Sequence, residues 1–253
     1  MSAPAWSYDL IAEVYATDMG RSMPFDDAGF YRRLCLAHGG RVLELGCGTG
    51  RILLELLGAG VDAVGVDRSL PMLARLRRDA AARGLRAPVA QMDLRALGLA
   101  SGFDVILAPY SLVTYLVEPA EFDAFLATAR DLLAPGGVLV LDAFVPRDVA
   151  AFDDFRLDYR RPHGAGFLER HKRIACLPGG SHRIERRYRL LDAAQRQLEE
   201  FTTTDCIRPM QAGYLREHAA AQGLRLREEW HDYGSEVGAG APRFYSAGFV
   251  RAP

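Results

Sequence analysis

The run Val42-Leu43-Glu44-Leu45-Gly46-Cys47-Gly48-Thr49-Gly50-Arg51 places an acid two residues ahead of three alternating glycines. Glycine lacks a Cβ and accepts positive φ, so such a loop lets backbone N–H groups approach a ligand closely. The spacing selects the ligand class. A dinucleotide fingerprint, G-x-G-x-x-G, would need glycine where this chain has Arg51. Glu44 at the strand end would repel a pyrophosphate and suits a cationic or zwitterionic group. Two further acids close apolar runs: Asp67 ends Val61-Asp62-Ala63-Val64-Gly65-Val66, and Asp93 follows Pro88-Val89-Ala90-Gln91-Met92. A carboxylate at a strand tip can accept hydrogen bonds from both hydroxyls of a diol.

The elements needed to position these residues are legible. Val42–Leu45 reads as a strand feeding the glycine loop, and Ile52-Leu53-Leu54-Glu55-Leu56-Leu57 as the first turns of a helix. Ser69-Leu70-Pro71 is a capped helix start with proline in the first turn, and the helix stops at Gly84. The stretch from Pro119 to Leu133 carries Phe122, Phe125, Leu126, Ala129 and Leu132 at helical spacing. Pro135-Gly136-Gly137 then signals a stop before an apolar strand through Leu141. Strands alternating with helices imply a parallel sheet covered on both faces.

In their order these residues resemble the class I S-adenosylmethionine (AdoMet)-dependent methyltransferases. VLELGCGTG fills every slot of that family's first motif. The strands ending at Asp67 and Asp93, the run Phe103-Asp104-Val105-Ile106-Leu107-Ala108-Pro109-Tyr110 and the turn Leu133 to Val140 follow in sequence. The resemblance implies an α/β, Rossmann-like, seven-stranded, mostly parallel sheet with helices on both faces. It also implies AdoMet as cofactor, held by Glu44, Gly46, Cys47, Gly48, Asp67, Arg68, Met92, Asp93 and Ala108. Asp67 would bind the ribose diol and Asp93 would face the adenine amine. In small-molecule members a tyrosine-bearing N-terminal helix covers the cofactor. Here Ser7 to Tyr15 reads as one helix, with Tyr8, Ile11, Ala12 and Tyr15 at i, i+3, i+4 and i+7. Tyr15 and, in the loop after the fourth strand, Tyr115 are the residues expected to wall the transferable methyl.

Composition narrows the remaining classes. With 253 residues, 49% of them hydrophobic, the chain can bury a sizeable core and reads as one methyltransferase domain, 1–253. Lys plus Arg number 31 against 32 Asp plus Glu, too balanced for a non-specific nucleic-acid binder. There is no run of 18 apolar residues and no basic-then-apolar leader at the N-terminus, so neither a membrane partner nor secretion is expected. Cys35, Cys47, Cys176 and Cys206 show no paired spacing and read as free thiols of a cytoplasmic protein without a metal site. Ala108-Pro109-Tyr110 lacks the acid or amide that would hold the exocyclic amine of a nucleic-acid base.

From about Val145 to Pro209 the helical periodicity gives way to runs at Gly166 to Leu177, His182 to Leu191 and Leu198 to Ile207. Turn signals separate them, so this segment reads as an antiparallel β insert after the fifth strand. Between Arg156 and Arg189 it carries ten Lys or Arg against three acids, an excess of seven. Two readings stay open: charges on a solvated or edge strand, and a lid that attracts an anionic or nucleotide-linked acceptor. Alternating apolar positions such as Ile184, Tyr188 and Leu190 need cover, which a homodimer could supply.

The overall arrangement is similar to methyltransferases that dimethylate amino sugars. Where such enzymes can carry a histidine after the fourth strand, this chain has Tyr115, a poor general base at neutral pH with an ordinary pKa of ~10. The reading that follows is methyl transfer to an N or O nucleophile of a small-molecule acceptor. A nicotinamide-dependent oxidoreductase and a catalytically silent AdoMet-binding module are the alternatives.

Overall fold

A computed structural model describes residues 6–19, 25–145, 151–234 and 242–253. In chain order the elements are α1 (Ser7–Ile11), α2 (Tyr15–Met19), α3 (Asp27–His38), β1 (Val42–Leu45), α4 (Leu53–Gly58), β2 (Ala63–Asp67), α5 (Leu70–Ala82), β3 (Val89–Gln91) and β4 (Phe103–Ala108). A 3-10 turn (Leu112–Tyr115) follows, then α6 (Pro119–Leu132), β5 (Leu133–Phe144), β6 (Phe152–His163), β7 (Gly166–Cys176), β8 (His182–Leu191) and β9 (Gln197–Ile207). The chain closes with α7 (Ala212–Ala221), β10 (Leu224–His231) and β11 (Phe244–Arg251). These elements form two compact units, Phe25–Pro146 with Pro209–Pro253, and Met1–Pro24 with Arg147–Arg208.

The larger unit holds a seven-stranded sheet in the order β10-β11-β5-β4-β1-β2-β3. Its pairs are parallel from β3 to β5, and β11 runs antiparallel to both its neighbours. This is the mostly parallel α/β sheet that the sequence implies. Because side chains alternate along a strand, Leu43 and Leu45 of β1 join one buried cluster with Phe122, Phe125, Leu126 of α6 and Leu215 of α7. Val42 and Glu44 point to the opposite face, as does Asp142 of β5, which the Tyr31 hydroxyl of α3 reaches. Local signals operate as read: the Ser69 hydroxyl accepts from Met72 N at 3.3 Å to cap α5. Strand β5 starts earlier than Pro135-Gly136-Gly137 suggests. Leu133 already pairs with Phe103, and the Pro-Gly-Gly segment bulges out before Val138 pairs with Val105.

The smaller unit carries a separate antiparallel sheet in the order β6-β7-β8-β9. Its first strand, β6, was not among the runs picked out in the sequence: Phe155, Leu157 and Tyr159 alternate with Arg156, Asp158 and Arg160, but Asp153-Asp154 and Arg161-Pro162 leave that alternation short. The N-terminal segment also differs from expectation. It forms two short helices joined by a turn at residues 12–14, so Tyr15 opens the second helix instead of closing the first. Restarting the helix there brings Asp18 round to Arg170, its Oδ1 lying 2.6 Å from Nη1.

Candidate active site

The strand order reverses between β1 and β4, and in an open parallel sheet the crevice at the carboxyl ends of such strands is where ligands bind. The loop after β1 turns there with Gly46, Gly48 and Gly50 all at positive φ (64°, 52° and 87°). The three glycines serve different needs. A Cβ at Gly46 would lie 2.8 Å from the Leu112 side chain, and one at Gly50 would lie 2.7 Å from Leu76, so both are also packing positions. A Cβ at Gly48 would meet nothing nearer than the Gly46 carbonyl at 3.9 Å. Gly48 therefore keeps an open face, the feature a backbone cradle needs. The Cys47 side chain, by contrast, is buried against Gly65 of β2. Burial, and then Glu44, push its thiol well above the ordinary range, so Cys47 offers backbone and no nucleophile.

Glu44 is 2% exposed and its Oε2 has no hydrogen-bond partner among the described residues. Burial raises its pKa to about 8; Arg51 opposes that shift, Asp67 and Asp27 add to it, and a hydrogen bond from the Leu53 backbone opposes it. Arg51 is itself held by Asp27 at 2.5 Å. At the end of β2, Asp67 accepts from Gly48 N through Oδ2 and from Ser69 N through Oδ1, each at 2.8 Å. Each carboxylate oxygen carries two lone pairs, the acceptor pattern a diol uses.

Past β3, Asp93 lies 3.5 Å from Arg68 and 3.4 Å from Arg95. Met92 is half-buried, and its N donates to the Asp67 carbonyl at 3.0 Å. Arg95 was not singled out in the sequence, yet it ties three elements together. It bonds Glu121 of α6 at 2.6 Å and the Tyr115 carbonyl at 3.0 Å, and it donates its own N–H to Asp93. The hydrogen bond to Glu121 raises its pKa further. Nothing in its one-dimensional spacing marks it, because its partners come from 2, 20 and 26 residues away. Ala108 is wholly buried at the end of β4.

The loop after β4 holds the second group that sequence reasoning missed. Tyr110 and Ser111 both have positive φ (56° and 57°), a conformation costly for non-glycine residues. Asp142, fully buried at the end of β5, accepts from Tyr110 N at 2.9 Å, Ser111 N at 2.5 Å, Tyr31 Oη at 2.6 Å and Tyr233 Oη at 2.8 Å. Burial raises its pKa while these donors oppose the rise. A lone acid closing Val138-Leu139-Val140-Leu141 was the available signal, since an acid in a buried strand demands partners.

The larger unit thus brings Glu44, Gly46, Gly48 and Asp67 together, with Asp93 and Arg68 paired beside them and Tyr115 linked through Arg95. Tyr15 stands on α2 in the smaller unit, its ring 6.0 Å from that of Tyr8. Part of the cation excess of that unit meets acids outside the counted stretch. Arg170 bonds Asp18, Arg186 bonds Asp205 at 2.5 Å, and Arg189 lies 3.5 Å from Glu200. Lys172 bonds Asp158 at 2.9 Å, and Arg173 bonds Glu185. Among the described residues, Arg156, Arg183 and Arg187 have no carboxylate partner.

The residues after β1, β2 and β3 fit AdoMet. A buried carboxylate oxygen without a partner suits a cationic ligand, Asp67 sets a carboxylate at the strand tip where a diol would lie, and Gly48 leaves its backbone approachable. Comparison with known proteins agrees. Residues 42–137 match the methyltransferase-domain family. The chain is 36% identical over 115 residues to the demethylmenaquinone methyltransferase of Thermus thermophilus, covering 44% of this chain and 50% of that protein, so it spans half that relative's length. The CcbJ methyltransferase of Streptomyces caelestis superposes with a TM-score of 0.79, covering 98% of this chain and 99% of that one. At 24% identity that likeness is one of fold. The sugar N-methyltransferase KedS8 of a Streptoalloteichus species superposes with a TM-score of 0.73 at 25% identity, covering all of this chain and 96% of its own.

Proposed function

From its membership of the class I AdoMet-dependent methyltransferases, to which this chain belongs, we propose that it methylates the amine of a small molecule, an amino sugar. The observation that carries this reading is the likeness to KedS8 over the whole chain, since it extends beyond the cofactor-binding half and includes the antiparallel insert. Bound AdoMet supplies a methyl group on an already activated sulfonium. The protein's work is therefore to hold and orient. Glu44, protonated below about pH 8 in the unliganded protein, gives up its proton to face the cofactor's cationic end, Asp67 accepts from the ribose hydroxyls, and Asp93 accepts from the adenine amine. The backbone at Gly46 and Gly48 lets the cofactor lie close. Tyr115 stands in the loop after β4 on the acceptor side.

Positioning of this kind can supply ~7–11 kcal/mol of rate enhancement. An amine acceptor need only arrive unprotonated, so no general base is required. The buried phenols nearby could not act as one: burial, and then Asp142, hold Tyr31 and Tyr233 well above the ordinary tyrosine range.

The test incubates the protein with AdoMet and a panel of amino sugars, matched neutral sugars and phenols. Release of S-adenosylhomocysteine and products heavier by ~14 Da per methyl are followed together. Products from amino sugars alone support the reading, and the rate should rise with pH as the acceptor amine loses its proton. Products from phenols or hydroxyls alone would replace it with O-methylation. A homodimer through the insert is the assembly this reading favours, because Leu157 on β6 and Leu198 on β9 expose large apolar side chains on the outer strands. Sedimentation as a monomer at micromolar concentration would remove it.

A further inference from the structure

We propose that Asp142 is a positioning residue that fixes the acceptor-side loop after β4 by locking Tyr110 and Ser111 in the left-handed conformation. The inference rests on the methyltransferase reading above for what the loop does, and on geometry for how it is held. Two consecutive non-glycine residues at positive φ do not persist unless their surroundings over-determine them. Here a single carboxylate does so. Its Oδ1 takes the Ser111 N–H, and its Oδ2 takes the Tyr110 N–H and both phenols. Three donors converge on Oδ2 and one on Oδ1, so the carboxylate is committed to holding the turn and the two phenols.

The donors come from separate parts of the unit. Tyr31 is on α3, Tyr233 follows β10, and the two amides belong to the turn after β4. Ser111 is fastened a second time, its Oγ accepting from Phe144 N at 2.7 Å, and its carbonyl accepts from Thr114 Oγ1 at 2.6 Å. Thr114 belongs to the 3-10 turn that carries Tyr115 and Leu112, and Leu112 in turn fills the space over Gly46. The carboxylate thus holds the turn that packs on the cofactor loop and presents the acceptor-side residues. The Tyr110 ring sits among Phe144 and Phe244, at 5.4 and 6.1 Å.

The purified full chain carrying Asp142→Asn tests this. An amide keeps the shape, but with its oxygen on the three-donor side its nitrogen faces the Ser111 N–H, setting donor against donor. Three readouts are taken: hydrogen exchange at the Tyr110 and Ser111 amides, affinity for S-adenosylhomocysteine by calorimetry, and KM for whichever amino sugar the acceptor panel yields. The expected result is at least tenfold faster exchange at the two amides, S-adenosylhomocysteine affinity within about threefold of the parent, and an acceptor KM raised tenfold or more with AdoMet KM nearly unchanged. Parental exchange in a folded Asp142→Asn protein overturns the proposal. So does an equal loss of S-adenosylhomocysteine affinity and acceptor KM, which marks a merely structural group. If Asp142→Asn does not fold, Tyr31→Phe with Tyr233→Phe removes two donors and leaves both amide bonds. That protein should keep slow exchange at Tyr110 and Ser111, and fast exchange there would also overturn the proposal. The exchange and calorimetry need no acceptor, so an empty acceptor panel would count against the amino-sugar reading and leave this one to be decided by the loop itself.

Discussion

The two units stabilise their sheets by different chemistry. In the seven-stranded unit the faces of the central strands are covered by Phe122, Phe125, Leu126, Leu53 and Leu56, and the buried acids among the described residues are few: Asp27, Glu44, Asp142 and Asp232. In the four-stranded unit, half-buried arginines are matched to acids across strands, and aromatic rings lie under guanidinium groups, as with Arg160 over Phe167 and Arg187 over Phe155. An apolar interior is indifferent to pH and salt and leaves its few buried charges free to be specialised. A sheet laced by ion pairs depends on every partner staying charged. The contrast teaches that charge density along a chain says little about a ligand until the partners are known.

The comparison can be broken most forcibly at Asp18. Its side chain is 7% exposed and bonds Arg170, which is 17% exposed. Removing one partner of a buried pair typically costs ~3–5 kcal/mol. Arg170 keeps Asp158 at 2.6 Å, so Asp18→Ala should cost about 3 kcal/mol, at the low end. The chain has two tryptophans, Trp6 in the smaller unit and Trp230 in the larger. Single-tryptophan versions made with Trp230→Phe or Trp6→Phe then report each unit in urea. The loss should appear at Trp6 and be small at Trp230. Equal shifts at both would mean the two units do not differ as described.

Next in size is Glu44. Its folded pKa of about 8 lies above the ordinary 4.5, so the folded state holds a proton that the unfolded state has released between those values. Stability of the larger unit should therefore fall as pH rises from about 4.5 through 8, by at most about 1.4 kcal/mol per pH unit. Glu44→Gln should flatten that slope and stabilise the unliganded protein by up to about 3 kcal/mol at pH 7. Denaturation midpoints read at Trp230 across that range check the sign, and a stability that rises with pH would refute it. Asp67→Ala comes third: stranding the ribose hydroxyls should weaken S-adenosylhomocysteine by about 1–3 kcal/mol in calorimetry. Unchanged affinity would take Asp67 out of the site.

How much of this was legible in the chain follows the same division. The glycine loop, Glu44, Asp67 and the strand and helix order could be read because each rests on neighbours in sequence: a strand end, a turn, a cap. Arg95 could not, and Asp142 only as an acid in need of partners, because their roles are defined by partners up to 26 and 111 residues away. Strand β6 does carry a two-residue signal, Phe155, Leu157 and Tyr159 alternating with Arg156, Asp158 and Arg160, but Asp153-Asp154 and Arg161-Pro162 cut it short on both sides. The excess of seven cations counts the stretch alone. Three of its cations, Arg170, Arg186 and Arg189, meet acids beyond its two ends, Asp18, Asp205 and Glu200.

The smallest effect belongs to the half-exposed ion pairs of the four-stranded sheet. Arg189 with Glu169 and with Glu200, and Arg160 with Glu169, are pairs at 3.5 to 3.6 Å whose arginines are 37% exposed. Such pairs contribute ~0–1 kcal/mol each and weaken as the screening length shrinks to about 3 Å in 1 M salt. Sodium chloride should therefore lower the urea midpoint reported by Trp6 by less than about 1 kcal/mol in stability, and leave that reported by Trp230 level or slightly raised. The Asp18–Arg170 bond is shielded from solvent and should survive the salt, so Asp18→Ala should cost nearly as much at high as at low ionic strength. If salt instead abolishes the Asp18→Ala effect, that pair is solvated, and the smaller unit owes its stability to something other than its buried ion pairs.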